Sequence, residues 1–238
     1  MNKKLEQLKV KIFADGADRK SMLELYENPL IKGFTTNPTL MRKAGVRSYK
    51  SFAKGIAKAI PDRPLSFEVF ADDFSEMEIQ AREISSWGEN IYVKIPVMNT
   101  KGENSYPLIR ALTEDGVKVN VTAVLTQQQV KHVHHHLRAG TPAYLSIFAG
   151  RIADTGTDPV PLMKYAVKFL GGSQTELIWA SPREVLNIFQ ADACGVHVIT
   201  VSNALLKKLA LVGKDHAVFS LDTVRMFYVD AQEAGYTL

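Results

Sequence analysis

The feature of this sequence that most constrains the fold is a regular alternation of short apolar runs with longer segments of helical periodicity. The apolar runs are the predicted strands Lys11–Asp15, Gly33–Asn37, Leu65–Phe70, Ile91–Pro96, Lys118–Val124, Tyr144–Ala149, Leu177–Ala180 and Val196–Ser202. The predicted helices are Arg19–Glu27, Tyr49–Ala59, Ser75–Trp87, Ser105–Glu114, Gln127–Arg138, Pro159–Leu170, Arg183–Gln190 and Ala204–Leu211. Strands separated by helices of this length are typical of βαβ units, whose strands lie parallel in one sheet.

Eight such units follow one another in 238 residues, with no linker or change of composition between them. This regularity predicts an α/β fold in which the sheet closes into a single (β/α)8 (TIM) barrel, one domain spanning residues 1–238. Ser220–Ala234 is predicted to form an additional C-terminal helix beyond the eighth unit. An open, doubly wound sheet is the alternative, but the turn after the first strand, FADGAD, lacks the GxGxxG pattern expected of that fold.

Composition and charge exclude several classes of protein. The chain is 46% hydrophobic and 23% charged, and its single cysteine, Cys194, rules out an internal disulfide framework. Met1–Lys11 lacks the apolar core of a secretory signal, and no apolar run approaches the roughly 18–20 residues that span a bilayer, so we expect a cytoplasmic protein with no membrane partner. The net charge of +4 comes from scattered basic residues, so no nucleic-acid partner is expected.

Polar residues interrupt the predicted strands near their carboxyl ends, where the strands of a buried parallel sheet should be almost entirely apolar. These residues are Asp15, Thr35, Asn37, Glu68, Lys94, Asn120, Thr122 and Ser146. Active sites of (β/α)8 barrels lie on the face formed by these strand ends. The sequence therefore predicts that six successive strands contribute polar groups to one site.

Lys94 carries the strongest chemical indication within this set. A buried lysine is unusual, and desolvation favours the neutral amine, which attacks a carbonyl carbon. The alternative is a structural ion pair between Lys94 and Glu68 or Asp15. The residues by themselves leave both interpretations open.

Five motifs add a resemblance to a known family: FADGAD, GFTTNPTL, YVKIP, NVTAV and YLSIFAGRI, which extend along the chain from about residue 10 to residue 212. In order and spacing they resemble those of the transaldolase family, and in particular its short members, which include the fructose-6-phosphate aldolases. The resemblance implies an enzyme that takes a ketose donor and an aldehyde acceptor, with neither cofactor nor metal.

The resemblance also implies a role for each matching residue. Lys94 would form a Schiff base with the ketose, and Asp15 would be the acid/base at the hydroxyl whose C–C bond breaks. Glu68 and Thr122 would hold the water that relays protons. The residues expected to bind substrate are Thr35, Asn37, Asn120, Ser146, Phe148, Arg151 and Trp179.

Two positions separate transaldolases from aldolases within the resemblance. The aldolases have glutamine and tyrosine where this chain has Glu68 and Phe148, so transfer of a dihydroxyacetone unit is expected rather than its release. Release of free dihydroxyacetone, as by the aldolases, is the alternative. An alternative of another class is a non-catalytic sugar-binding barrel.

The expected anion site departs from the family pattern. Arg151 matches the arginine of the sixth-strand loop, but Ile178-Trp179-Ala180 stands where the family has a serine and a basic residue. Ser181 and Arg183 are expected to lie too far along the chain to replace them. The donor's terminal group is therefore expected to be a phosphate, a differently shaped anion such as a sulfonate, or an uncharged sugar end. Trp179 is expected at the barrel mouth, where it either caps the substrate or fills space.

Two further features stand apart from the predicted site. His132 and His136 have zinc-ligand spacing on a predicted helix, but no glutamate lies between them as in HExxH, so a solvated helix face is the preferred interpretation. The resemblance also implies a homo-oligomer of five or ten subunits, with the C-terminal helix, at about residues 220–234, reaching a neighbouring subunit.

Overall fold

The computed structural model describes residues 3–238 and shows a closed barrel of eight parallel strands that follow one another in chain order. The strands are β1 (Lys11–Asp15), β2 (Ile31–Thr35), β3 (Leu65–Glu68), β4 (Ile91–Pro96), β5 (Val119–Val124), β6 (Ala143–Ile147), β7 (Thr175–Trp179) and β8 (Val198–Ser202). The predicted (β/α)8 barrel with an additional C-terminal helix is confirmed. Met1 and Asn2, the start of the segment inspected for a secretory signal, lie outside the described residues.

Helices follow each strand and surround the barrel. They are α1 (Lys3–Glu6), α2 (Arg19–Tyr26), α3 (Pro38–Lys43), α4 (Tyr49–Ala59), α5 (Phe74–Ser85), α6 (Tyr106–Glu114), α7 (Gln127–His136), α8 (Ala149–Ala153), α9 (Val160–Leu170), α10 (Leu186–Ala193), α11 (Asn203–Lys207) and α12 (His216–Glu233), with a 3₁₀ turn at Lys208–Leu211. Side-chain caps define several helix starts: α7 begins with a capping box in which Thr126 and Gln129 bond each other's backbone amides.

The predicted elements differ from the observed ones mainly where a short helix follows a strand directly. Helix α3 was not predicted, and β2 ends at Thr35 rather than Asn37 because the Asn37 side chain caps α3 by accepting from the Leu40 amide at 2.9 Å. Similarly, β6 ends at Ile147 because Phe148 already precedes α8. Helices of five or six residues are too short to show a hydrophobic period, which explains why the pattern missed them.

Two hydrophobic clusters follow from the alternation of side chains along the strands. The larger cluster lies between the strands and the surrounding helices. A smaller one comprises Phe13, Tyr144, Ile178, Ala180 and Val198, in which Phe13 and Tyr144 meet edge to face at 5.7 Å. Because these side chains come from β1, β6, β7 and β8 and from the residue after β7, the smaller cluster fills the barrel interior.

Strand β5 contains an irregularity beside the predicted site. Its register with β6 shifts between Val121 and Val124, and Ala123 has a φ of 59° in the left-handed region. Val121 and Val124 consequently both belong to the outer cluster although they are three residues apart. The bulge leaves Thr122 pointing into the barrel next to Asn120, as period-two spacing predicted.

Helix α12 starts four residues earlier than predicted, because Asp215 caps it by accepting from the amides of Ala217 and Val218. None of its residues is buried, and large apolar side chains along it are exposed, among them Val224, Phe227 and Tyr228. Within residues 3–238, no helix is both long enough and apolar enough to cross a membrane.

Candidate active site

A cavity of about 540 Å³ opens at the carboxyl ends of the strands. Ten predicted site residues line it: Asp15, Thr35, Asn37, Glu68, Lys94, Asn120, Thr122, Ser146, Phe148 and Arg151. Five polar residues that were not assigned to the site also line it: Thr39, Lys43, Ser181, Arg183 and Thr200. The structure therefore brings together side chains that lie up to 185 residues apart, from Asp15 to Thr200.

Lys94 lies inside the barrel on β4 and is only 7% exposed. Its Nζ donates a hydrogen bond to the carbonyl oxygen of Thr36 at 2.7 Å and lies 3.2 Å from Oε2 of Glu68. Both contacts leave the amine at the edge of the cavity, where a small molecule can reach it. The ion pair with Glu68, one of the two interpretations that the sequence left open, is therefore present, and it does not remove Lys94 from the cavity lining.

Glu68 ends β3 directly beside Lys94, its partner in the register of β3 with β4. Its other oxygen, Oε1, lies 3.5 Å from the Thr122 hydroxyl, at the outer limit of a hydrogen bond. The Tyr49 hydroxyl bonds both backbone groups of Glu68. This carboxylate is therefore held between an amine and a hydroxyl, as a proton carrier would be.

Asp15 ends β1 and accepts a hydrogen bond from the Thr35 hydroxyl at 2.7 Å. The Thr35 oxygen also lies 2.5 Å from the hydroxyl oxygen of Thr200. Since Thr35 gives its single proton to Asp15, Thr200 must donate to Thr35 when Asp15 is ionised. Burial raises the pKa of the Asp15 carboxyl, against the opposing effects of the Lys94 charge and the Thr35 hydrogen bond. The raised pKa makes the protonated form of this carboxyl easier to reach than that of an exposed aspartate.

A string of buried hydrogen bonds connects polar side chains of β3, β5 and β6 inside the barrel. Ser146 donates to the Asn120 amide oxygen at 2.7 Å, and the Asn120 amide nitrogen donates to the Ser66 hydroxyl at 3.1 Å. Asn37 lines the cavity as well, and its amide oxygen is occupied in capping α3. The string fixes the orientations of these amide and hydroxyl groups before any ligand binds.

The outer end of the cavity carries positive charge. Arg151 packs over the Phe148 ring at 5.8 Å and, within residues 3–238, forms no ion pair. Arg183, which was expected to lie too far along the chain, also lines the cavity, but both oxygens of Asp154 hold its guanidinium. Arg151 is thus the arginine at this end that is available to an anion.

A close backbone contact holds the two arginine-bearing loops together. Position 150 has no room for a side chain, because a Cβ on Gly150 would lie 1.5 Å from the carbonyl oxygen of Ser181. The Gly150 amide in turn donates to the Ala180 carbonyl at 3.3 Å. The loop after β6 therefore packs directly on the loop after β7, which explains how Ser181 and Arg183 reach the cavity despite their positions in the sequence.

Trp179 does not lie where it was predicted. It is 1% exposed, belongs to the cluster between barrel and helices, and is absent from the cavity lining. Its neighbours in the chain, Ile178 and Ala180, belong to the inner cluster instead. Strand alternation thus turns Trp179 outward, so it fills space and does not cap the cavity.

The histidine-rich segment lies on α7, outside the barrel. His132 and His136 both stack on the ring of Tyr106, with centroids 5.3 Å away in each case. In the part of the chain from residue 3 onward, no three histidine, cysteine or acidic side chains form a group that could hold a metal ion.

Comparison with known proteins agrees with this geometry. Residues 12–237 match the family model described as transaldolase/fructose-6-phosphate aldolase. The chain is 35% identical over 202 residues to a probable transaldolase 2 of Listeria monocytogenes, covering 84% of this chain and 88% of the relative. It is 32% identical over 203 residues to a probable transaldolase of Streptococcus agalactiae, covering 84% and 89%.

Solved structures with little sequence similarity share the fold. A putative phosphonomutase from Burkholderia cenocepacia superimposes with a TM-score of 0.58 at 11% identity, covering 89% of this chain and 97% of that one. Orotidine 5'-monophosphate decarboxylase from Metallosphaera sedula gives 0.55 at 10% identity, covering 91% and 97%. These likenesses concern the barrel alone, whereas the family match extends over nearly the whole chain: the protein belongs to the transaldolase/fructose-6-phosphate aldolase family.

Proposed function

We propose that this protein is a transaldolase that transfers a dihydroxyacetone unit through a Schiff base on Lys94. The observation that carries the proposal is the position of the Lys94 amine, buried at the cavity edge, 3.2 Å from Glu68 and in the same cavity as Asp15. A nucleophilic amine with two separate proton carriers is what formation of an imine followed by C–C cleavage requires.

The first half of the reaction forms the imine. The Lys94 amine adds to the C2 carbonyl of the ketose, and one nitrogen proton passes through Glu68 and a water held with Thr122 to the former carbonyl oxygen. Glu68, which had taken the proton of the Lys94 ammonium before the attack, returns that proton to the oxygen, which leaves as water, and a protonated imine remains. Glu68 supports these steps because one of its oxygens faces the amine and the other faces the Thr122 hydroxyl.

The second half moves the three-carbon unit. Asp15 takes the proton of the C4 hydroxyl, the C3–C4 bond breaks, and its electron pair forms an enamine as the aldehyde leaves. The enamine carbon then attacks the carbonyl of the acceptor aldehyde, Asp15 returns the proton to the new alkoxide, and water hydrolyses the imine. Burial of Asp15 supports this role because it raises the pKa of the carboxyl and so makes the protonated form accessible.

Substrate recognition is proposed to use the polar string and the cationic end. The amide nitrogen of Asn37 and the groups of Asn120 and Ser146 would bind donor hydroxyls, with Thr35 holding Asp15. The terminal anion, a phosphate or another group such as a sulfonate, would bind Arg151 beside Phe148. Asp154 neutralises Arg183, so the charge offered to this anion comes from Arg151 and Lys43.

The exposed helix α12 is proposed to mediate self-association. Helix α12 presents large apolar side chains with no partner in the described part of its own chain to bury them. Exposed apolar surface of this extent favours a protein–protein interface, and a homo-oligomer of five or ten subunits would cover it.

A donor screen tests the proposed transfer. Phosphorylated, sulfonated and unphosphorylated ketoses would each be mixed with 13C-labelled glyceraldehyde 3-phosphate, and the products followed by NMR. A transaldolase moves the label into a six-carbon ketose phosphate and consumes donor only when the acceptor is present. Free dihydroxyacetone formed without acceptor would show an aldolase instead, and no turnover with any donor would favour a non-catalytic barrel.

A further inference from the structure

The edge of β3 that faces β2 departs from regular parallel pairing at the catalytic end. In a parallel ladder, a residue donates from its amide to one residue on the neighbouring strand and accepts, at its carbonyl, from the amide two residues further on. The Thr36 amide donates to the Ser66 carbonyl at 3.0 Å. Regular pairing would therefore continue with the Glu68 amide donating to the Thr36 carbonyl.

A side chain takes the place of this expected hydrogen bond between Glu68 and Thr36. The Glu68 amide donates to the Tyr49 hydroxyl at 2.8 Å, and the same hydroxyl donates to the Glu68 carbonyl at 2.6 Å. The Thr36 carbonyl, relieved of its strand partner, accepts from the Lys94 Nζ at 2.7 Å. One phenol thus satisfies both backbone groups of Glu68, and the carbonyl it leaves free holds the amine.

We propose that Tyr49 is a positioning residue, which takes the place of β2 beside Glu68 and so makes the Thr36 carbonyl available to orient the Lys94 amine. The contribution to catalysis rests on the proposed Schiff-base role of Lys94. Tyr49 touches neither the amine nor the cavity, and it acts through the backbone of Glu68 and Thr36.

The surroundings of Tyr49 suit this role. Its ring lies in an aromatic group with Phe67, Phe70 and Trp87, whose centroids are 6.4, 5.4 and 6.2 Å away. This packing fixes the direction of the hydroxyl at the start of α4. Burial raises the pKa of the Tyr49 phenol, so the group remains a hydrogen-bond donor throughout the working pH range.

The test is the Tyr49→Phe variant, which keeps the ring and removes only the hydroxyl. The probe is dihydroxyacetone with cyanoborohydride, because this small ketone can form the imine without using the anion site. We expect the rate of labelling at Lys94 to fall roughly ten- to a hundredfold, as misplacement of a reacting group does, with little change in the concentration that gives half-maximal rate. A crystal structure of the variant should show the Glu68 amide bonded to the Thr36 carbonyl and Lys94 Nζ displaced from it.

Tyr165→Phe is the matched control, because the Tyr165 hydroxyl is buried without a hydrogen-bond partner among the described residues. It should label at the wild-type rate.

A Tyr49→Phe variant that melts at lower temperature but labels at the wild-type rate per folded molecule would overturn the inference and show a structural role only. If the variant does not fold, amide hydrogen exchange in the wild type decides: the Glu68 amide must be as well protected as the Ser66 amide, and rapid exchange would overturn the inference. Absence of labelling in the wild type would overturn the proposed function itself.

Discussion

Replacing Glu68 by glutamine removes one negative charge from the site and keeps the size and shape of the side chain. In the wild type, one carboxylate oxygen lies 3.2 Å from the Lys94 Nζ and the other 3.5 Å from the Thr122 hydroxyl. Glutamine can still accept a hydrogen bond from Thr122, but it cannot take up a proton from the amine. The substitution therefore separates the positioning of Lys94 from the proton transfer that frees it to attack.

The magnitude follows from these distances. Two unit charges 3.2 Å apart attract by about 5 kcal/mol at an effective dielectric constant of ~20, but desolvation of both groups offsets much of this. The effect on binding and stability should therefore be modest, whereas loss of a proton carrier costs roughly 10²- to 10⁴-fold in rate. We expect the Schiff base to form at least about a hundredfold more slowly in Glu68→Gln than in the wild type.

Single-turnover labelling with donor and cyanoborohydride measures that rate. Glu176→Gln is the matched control, because it breaks the ion pair of Glu176 with Lys11 at the opposite end of the barrel, and it should label normally. Thr122→Val, which removes a hydroxyl at the limit of bonding distance, should give an intermediate rate. Labelling of Glu68→Gln at the wild-type rate would refute the assignment of Glu68 as proton carrier.

Four further predictions address other parts of the molecule. Asp15→Asn should still be labelled at Lys94 but should not cleave the donor. Because burial raises the pKa of Asp15, ionisation of this carboxyl destabilises the folded wild type at high pH. The variant should therefore melt at a higher temperature than the wild type at alkaline pH, and this difference should disappear as the pH falls towards the ordinary pKa range of a carboxyl. Equal melting curves at all pH values would contradict this. Arg151→Met should raise the KM of an anionic donor about 10-fold or more while leaving that of an uncharged ketose unchanged, and equal effects on both would remove Arg151 from the anion site. Trp179→Phe should lower the Tm without changing kcat or KM, because Trp179 is buried outside the cavity. A change in either kinetic constant would indicate that Trp179 contacts the substrate after all. Deletion of His216–Glu233 should convert an oligomer to monomers in light scattering, and an unchanged mass would exclude this helix as the interface.

The barrel could be predicted from sequence because its determinants are local. Each strand and each long helix has its own hydrophobic period, and the polar interruptions, such as Glu68 and Lys94, mark the strand ends that converge. Helix α3 escaped prediction because its six residues carry too short a pattern, and its capping residue Asn37 was assigned to the preceding strand. The residues predicted to converge, apart from Trp179, thus line one cavity, whereas the carboxyl ends of β2, β3 and β6 were predicted two residues too far along the chain.

The parts that could not be predicted depend on contacts between distant segments. Arg183 reaches the cavity because the loop after β6 packs on Ser181 at Gly150, a contact that no spacing in the sequence reveals. In the sequence Tyr49 is one aromatic residue among others on a helix. Its hydrogen bonds to the Glu68 backbone depend on the end of β2 at Thr35, which leaves the Glu68 backbone without a strand partner. Thr200 offered a usable signal, since it is a polar residue in an apolar strand, in phase with Val198 of the inner cluster.

Peptide mapping of the reduced adduct tests the central claim most directly. Protein incubated with fructose 6-phosphate or dihydroxyacetone, reduced with borohydride and digested, should carry one dihydroxyacetone-derived group per chain, on the peptide containing Lys94. The Lys94→Met variant should carry none and should show no transfer activity. An adduct on another lysine, no adduct with any ketose of the donor screen, or full activity in Lys94→Met would contradict the assignment of Lys94 as the Schiff-base residue.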